Sequence, residues 1–173
     1  MLTRTESRRE LLGQLRHLML GDTPVPPSMP VRGRELVAAT AAYLRVGRAF
    51  RNGGLTTALP LIPPVNTDRP DRHRNTEAAV FCARDAAWRL LGLARTLGGQ
   101  HLCLHESLGV CAGLRRVGFP ADVVIGYPVI EIASGGEELH AWPALGSLPL
   151  VGRPGERPLG YVELHRYPEE EPW

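Results

Sequence analysis

In four segments between the N-terminus and Gly118, apolar residues recur every three or four positions, which is the spacing of amphipathic helices. This period predicts four helices, at about residues 7–20, 33–50, 76–98 and 103–117. A capping box, Ser7 followed by Glu10, opens the first, and Asn75-Thr76-Glu77 opens the third. A proline-rich extended connector follows the first helix, and a charged stretch around residues 68–75 is expected to be a mobile loop.

After Gly118 the pattern changes to short apolar runs and alternation, which predicts strands. The predicted strands lie at residues 123–125, 128–132, 139–142 and 161–167. Pro143 is expected to end the third of them or to place it at a sheet edge, because proline cannot donate a ladder hydrogen bond. Helices that precede an antiparallel sheet define an α+β fold.

Composition narrows the function classes. The 173 residues carry a formal net charge of +2, and every basic residue is arginine, scattered evenly along the chain. This scatter favours an ion-paired surface and gives no case for nucleic acid. The first residues lack an apolar signal core, and no apolar run approaches a membrane span, so we expect a soluble cytoplasmic protein without membrane contact. Three cysteines at irregular spacing do not indicate a disulfide framework.

Cys103 is the best candidate for chemistry. It opens a helix, where free backbone N–H groups and the helix dipole favour a thiolate, and His140 follows on a predicted strand. A thiol nucleophile and its base are often brought together in this way. Free cysteines more often pack in cores, which is the reading we give Cys82 and Cys111. A metal site would need Cys103, His105, Cys111 and His140, but the spacings of known zinc motifs are missing, so no metal or other cofactor is predicted.

Several motifs resemble the lasso-peptide leader peptidases, transglutaminase-like (papain-like) cysteine proteases of bacterial natural-product pathways. The matching segments are Cys103-Leu104-x-x-Ser107-Leu108, Leu114-Arg115-Arg116-x-Gly118-x-Pro120-Ala121, Val123-x-Ile125-Gly126 and His140-Ala141-Trp142. The resemblance implies a Cys-bearing helix packed on a small antiparallel sheet. It also divides the chain into an N-terminal helix with its connector (1–30), a helical region and loop (31–75) and a transglutaminase-like catalytic core (76–173).

The resemblance implies removal of the leader from a ribosomally made precursor peptide. Cys103 would be the nucleophile and His140 the general base and acid. A leader-recognition protein and a cyclase of the same pathway would be the partners. The family carries an Asp after the His to orient the imidazole, but here Gly152 stands near that position. Glu156 is the next acidic residue and our candidate third member, with Asp122 and Glu163 as weaker ones.

Two departures leave alternatives open. Besides the missing Asp, Glu106 stands before Ser107 where the family tends to be basic. The same thiol could therefore serve an acyltransferase that forms or cyclises amides, since an amine can resolve an acyl-enzyme in place of water. Alternatively, the fold could be a catalytically degenerate binding protein.

Overall fold

The computed structural model describes residues 26, 28–73, 76–98, 102–128, 139–151 and 161–168. Its three helices are α1 (Gly33–Ala58), α2 (Glu77–Gly98) and α3 (Cys103–Arg116), with short 3-10 helices at Leu59–Leu61 and Pro70–His73. Its four strands are β1 (Ala121–Pro128), β2 (His140–Leu145), β3 (Leu148–Pro149) and β4 (Tyr161–Tyr167). The predicted α+β class is confirmed, whereas the predicted helix at residues 7–20 lies outside the described residues.

Helix α3 lies at the centre of the molecule, between α1 and the sheet. Nine of its 14 residues are buried. It approaches its neighbours closely because Gly109 and Gly113 carry no side chain: a Cβ at Gly109 would lie 2.6 Å from the Tyr43 ring, and one at Gly113 would lie 2.9 Å from Leu90. The small residues in the middle of α3 therefore fix how closely α1 and α2 pack against it.

The sheet is antiparallel throughout, in the order β3-β2-β1-β4. Val123 of β1 and Ala141 of β2 pack against Leu108 and Cys111 of α3, so this face of the sheet covers the helix. His140 and Trp142 alternate with Ala141 along β2, so their side chains leave the strand on the opposite face of the sheet.

The prediction that Pro143 ends the strand or marks an edge was wrong. Strand β2 continues to Leu145, with β1 on one side and β3 on the other, and Pro143 lies opposite Val123. The Pro143 carbonyl accepts a hydrogen bond from the Leu150 N–H at 2.8 Å, so it points away from β1. Since the N–H of a strand residue would point the same way as its carbonyl, the missing donor of Pro143 costs no hydrogen bond to β1.

The helix boundaries follow the sequence patterns closely. Helices α2 and α3 begin and end where predicted, and the Thr76 hydroxyl caps α2 by accepting a hydrogen bond from the Ala79 N–H at 3.2 Å. Helix α1 was predicted to reach about residue 50 and to be stopped by the glycines that follow, Gly53 and Gly54. Its backbone does break at Gly54, where φ is +69°, but one more stretch of helix continues to Ala58.

The described part of the charged stretch after residue 67 differs from the expected mobile loop. Pro70–His73 forms a 3-10 helix whose Arg72 side chain is 1% exposed. The guanidinium donates to the carbonyls of Met29 (2.9 Å), Ser28 (2.9 Å) and Val117, and forms an ion pair with Glu35 at 2.9 Å. Each nitrogen of the buried Arg72 guanidinium donates a hydrogen bond, and the side chain thereby holds this segment against α1 and the end of α3. No helix among the described residues is long and apolar enough to cross a membrane.

We predict that Arg72→Met lowers the free energy of unfolding by about 3 kcal/mol or more, because it leaves buried carbonyls without a donor and removes the buried partner of Glu35. Arg69→Met is the matched control. Arg69 also pairs with Glu35, at 3.1 Å, but its side chain is 45% exposed, so its loss should cost at most about 1 kcal/mol. Urea denaturation measures both, and equal losses in the two variants would contradict the prediction.

Candidate active site

Cys103 is the first residue of α3 and is partly exposed. The residue before it, Leu102, caps the helix without a side-chain hydrogen bond, because leucine has no acceptor. The first backbone N–H groups of α3 therefore receive no capping side chain from Leu102, and they surround the thiol with the positive end of the helix dipole. This is an environment that favours a negative charge on sulfur or on a nearby oxygen.

The thiol borders a cavity of about 170 Å³. Its polar lining comes from Cys103, Glu106, Ser107 and His140, together with the indole of Trp142. Its apolar lining comes from Leu91, Val110, Ala141, Pro143 and Val151. The sequence prediction that Cys103 and His140 lie close together agrees with this shared cavity, whereas their catalytic roles stay predictions.

Ser107 joins the helix that carries the thiol to the strand that carries the imidazole. Its buried Oγ lies 2.7 Å from the carbonyl oxygen of Cys103 and 3.0 Å from that of Ala141, the neighbour of His140. The hydroxyl has one proton to donate, so the two carbonyls share it. The first turn of α3 and the start of β2 are thereby held at a fixed separation.

His140 is held by aromatic rings. Its imidazole lies 6.0 Å from the Trp142 ring, nearly parallel to it, and 5.4 Å from the Tyr161 ring, measured between centroids. Trp142 lies over Gly126, where a Cβ would come within 2.6 Å of the indole. Burial among these groups lowers the pKa of His140 and favours the neutral imidazole. No hydrogen bond joins this imidazole to the Cys103 thiol in the described structure, although apo sites often close this contact only when substrate binds.

Glu106 lies one turn after Cys103 and reaches the same cavity. Arg95, in the last turn of α2, binds it through two hydrogen bonds, Nε to Oε1 at 2.9 Å and Nη2 to Oε2 at 2.7 Å. The departure noted in the sequence, an acidic residue at a position that tends to be basic, is thus offset in space by a guanidinium from the neighbouring helix. The local charge beside the thiol is close to zero.

The third member of a triad is not found among the described carboxylates. Glu156 lies outside the described residues. Both oxygens of Glu163 bind Arg166, at 2.8 and 2.9 Å, and Asp122 accepts from Arg166 at 3.2 Å and lies 3.6 Å from Arg115. Arginines therefore already bind both of the weaker candidates, Asp122 and Glu163, and a role for either carboxylate beside His140 stays a prediction.

The other cysteines and histidines of the described ranges do not line the cavity. Cys82 and Cys111 are buried, as predicted, and burial raises the pKa of Cys111 to about 12, so its thiol is inert. The ring of His105 packs against Tyr43 and Phe50. Of the four residues weighed as a metal set, only Cys103 and His140 therefore line the cavity, and no three His, Cys, Asp or Glu side chains within the described ranges converge on a metal position.

The sequence did not reveal Ser107, Arg95 or Tyr161 as parts of this site. The spacing of Ser107 could have identified it, because a residue four positions after Cys103 lies on the same helical face. Nothing in the sequence around Arg95 or Tyr161 identifies them, since each reaches the cavity or His140 from another element of the fold.

A thiol at a helix start that shares a cavity with a strand histidine is chemically suited to acyl transfer through a thioester. The family model of the transglutaminase-like superfamily matches residues 35–162, which is most of the chain, and the protein belongs to that superfamily. The superfamily includes cysteine peptidases and acyltransferases. Neither a curated protein nor a solved structure matches the chain.

We predict that Arg95→Gln slows alkylation of Cys103. The carboxylate of Glu106, one helical turn after Cys103, would then stand near the thiol without a compensating cation, and its negative charge should slow the reaction of the sulfur several-fold. The rate of iodoacetamide labelling at one fixed pH measures the effect. The double variant Arg95→Gln/Glu106→Gln removes both charges and should return the labelling rate to that of the parent protein. An unchanged rate in Arg95→Gln would show that this ion pair does not govern the thiol.

We predict that His140 titrates below pH 6.5, the ordinary value, because burial disfavours its charged form. The unfolded chain takes up this proton first, so the contribution of neutral His140 to stability is present above pH 6.5 and is lost as the pH falls through the folded pKa. NMR of the imidazole, assigned with His140→Gln, measures the midpoint. Trp142→Ala should move it back toward 6.5, and a parent midpoint at or above 6.5 would refute the prediction.

Proposed function

We propose that this protein is a cysteine peptidase that removes the leader from a ribosomally made precursor peptide through an acyl-enzyme on Cys103. One observation carries the proposal: in a transglutaminase-like chain, a thiol at the start of a buried helix and a neutral histidine line the same cavity. The motifs around both residues, which resemble the leader peptidases, supply the substrate class.

The proposed reaction begins when His140 accepts the thiol proton as the sulfur of Cys103 attacks the scissile carbonyl. The carbon–sulfur bond forms, and the negative charge that develops on the oxygen is stabilised by N–H groups at the start of α3. The carbon–nitrogen bond then breaks, and the His140 imidazolium gives its proton to the leaving amine. Water, deprotonated by the same imidazole, hydrolyses the thioester and regenerates the thiol.

The size and lining of the cavity support a peptide substrate. Ligand pockets for whole small molecules measure roughly 300–1,000 Å³. The present cavity, at about 170 Å³, has room for one side chain beside the thiol. Its apolar wall of Leu91, Val110 and Val151 suits an apolar side chain next to the scissile bond. The rest of the substrate then lies outside the cavity, where a leader-recognition protein can hold it and from which a cyclase can take the product.

Among the described residues, Ser107 and the aromatic rings are what positions His140 relative to Cys103 in this proposal. The Ser107 hydroxyl fixes the separation of α3 from β2. Trp142 and Tyr161 restrict the imidazole without adding a charge. Glu156, which lies outside the described residues, stays our candidate for an orienting carboxylate, and without such a partner the turnover would be slow compared with a complete triad.

The test is to incubate candidate precursor peptides and the leader-recognition partner with parent protein and with Cys103→Ala, and to follow the peptides by mass spectrometry. The parent should release leader and core as two fragments that together weigh one water more than the precursor. Cys103→Ala should lose this cleavage by at least about a thousandfold, because no acyl-enzyme can form.

Cys82→Ala is the matched control, because it removes a buried thiol from α2 that lies outside the cavity. It should cleave at the parent rate once folding is verified by circular dichroism. Cleavage that survives Cys103→Ala refutes the proposal. A product formed by loss of water or by capture of an amine would instead assign the thioester to amide formation.

A further inference from the structure

The exposed surface of α1 is strongly basic. Four arginines of this helix, Arg34, Arg45, Arg48 and Arg51, form no ion pair with any described residue. The helix has one acidic residue, Glu35, and that residue is bound to Arg69 and Arg72. Although arginines are scattered evenly along the sequence, the folded chain therefore concentrates unpaired positive charge on one helix.

A groove of about 400 Å³ runs along this basic side. We name it the arginine groove; it is lined by Ala38, Ala41, Ala42, Arg45, Leu61, Pro63 and Arg116. The alanines form an apolar floor, and the exposed side chains of Arg45 and Arg116 stand at its sides. No acidic residue lines it.

The far wall of the groove is fixed in place. The Arg115 guanidinium donates to the Pro63 carbonyl at 3.0 Å, and the Asn66 N–H donates to the Arg115 carbonyl at 3.0 Å. These bonds tie the segment after the first 3-10 helix to the end of α3. The groove is therefore formed before any ligand arrives, so little conformational entropy is lost on binding.

Arg45 and Arg116 are unlike the arginines that stabilise the fold. Arg72, Arg95 and Arg166 each bind a carboxylate of the chain itself. Arg45 and Arg116 bind none among the described residues, although each stands beside apolar surface. Two guanidiniums beside an apolar floor match a ligand that presents carboxylates next to apolar groups.

We propose that the arginine groove binds an acidic peptide segment that carries apolar side chains between its carboxylates. A nucleic acid fits less well, because the lining has no aromatic ring on which bases stack. If the proposed function holds, this segment is a recognition stretch of the substrate, separate from the scissile bond.

The position of the groove sets the distance between recognition and chemistry. Arg116 is the last residue of α3 and Cys103 is the first, and the 14-residue helix between them is about 20 Å long. An extended peptide covers about 3.3 Å per residue, so at least about six residues must separate the acidic segment from the bond at the thiol. The proposal thus predicts a minimum spacing in any substrate that uses both sites.

The experiment is fluorescence anisotropy with the full chain and two labelled peptides, one repeating Leu-Glu and the other repeating Leu-Gln. The Leu-Glu peptide should bind, more weakly as salt is added, and the Leu-Gln peptide should bind at least about tenfold less tightly. Arg45→Glu and Arg116→Glu should each weaken the Leu-Glu complex about tenfold. The readout is binding alone, so its result is independent of whether Cys103 cleaves any peptide.

Arg51→Glu is the matched control. It changes the net charge by the same amount on the same helix, but it lies six positions after Arg45, about 120° around the helix from it. It should weaken binding less than about threefold. The milder Arg45→Gln keeps the test valid if a charge-reversed variant unfolds, and its melting temperature should equal that of the parent.

Four results would overturn the proposal. The first is equal binding of the two peptides, and the second is equal effects of Arg45→Glu and Arg51→Glu. The third is a large gain in affinity of the protein for the Leu-Glu peptide when the three glutamates at positions 169–171 are changed to glutamine. That gain would assign the groove to the acidic C-terminal segment of the chain itself. The fourth is self-association that Arg45→Glu abolishes, which would assign it to a second copy.

Discussion

The close approach of α3 to the elements around it is the constraint on which the rest of the structure depends. A helix that is buried along most of its length must have small residues wherever a neighbour crosses it, and Gly109 and Gly113 meet Tyr43 and Leu90 at such points. Any larger side chain there would push α1 or α2 outward. Because Cys103 is the first residue of this helix, the packing of its middle also sets where the thiol stands relative to the sheet. Ser107 makes the relation specific by joining the first turn to β2.

Much of the fold was predictable because the helices and strands bury one face each. The apolar period located α2 and α3 within a few residues, and the change of period after Gly118 located the sheet. The errors came from residues whose role depends on distant partners. Arg72 belongs to a segment that looks like a charged loop, but its guanidinium finds carbonyls more than forty residues away, at Met29 and Val117. Pro143 looks like a strand end, but it is tolerated because its missing donor faces away from β1.

The candidate site was predictable to the extent that local sequence determines it. Cys103 could be identified because a helix start has a chemical effect on a thiol, and His140 because a motif follows it. Their surroundings could not be read in the same way. The cation that offsets Glu106 comes from the end of α2, and Tyr161 reaches His140 from β4, which β1 separates from β2 in the sheet. The charge beside a nucleophile depends on side chains from all the neighbouring helices and strands. An unusual residue such as Glu106 therefore does not by itself disable a site, because a partner such as Arg95 can offset its charge.

The same central helix also connects the two proposed sites. Its N-terminus carries the thiol in a small and largely apolar cavity, and its C-terminus carries Arg116 at the arginine groove. A cavity with room for one side chain has little means to discriminate among peptides, since an apolar contact of that size is worth only about 1–3 kcal/mol. Under the proposed function, selectivity would then come from contacts far from the reacting bond, and the buried helix keeps the two proposed sites at a constant distance. Binding energy gained at the arginine groove would hold a peptide in register while the cavity accepts a single side chain.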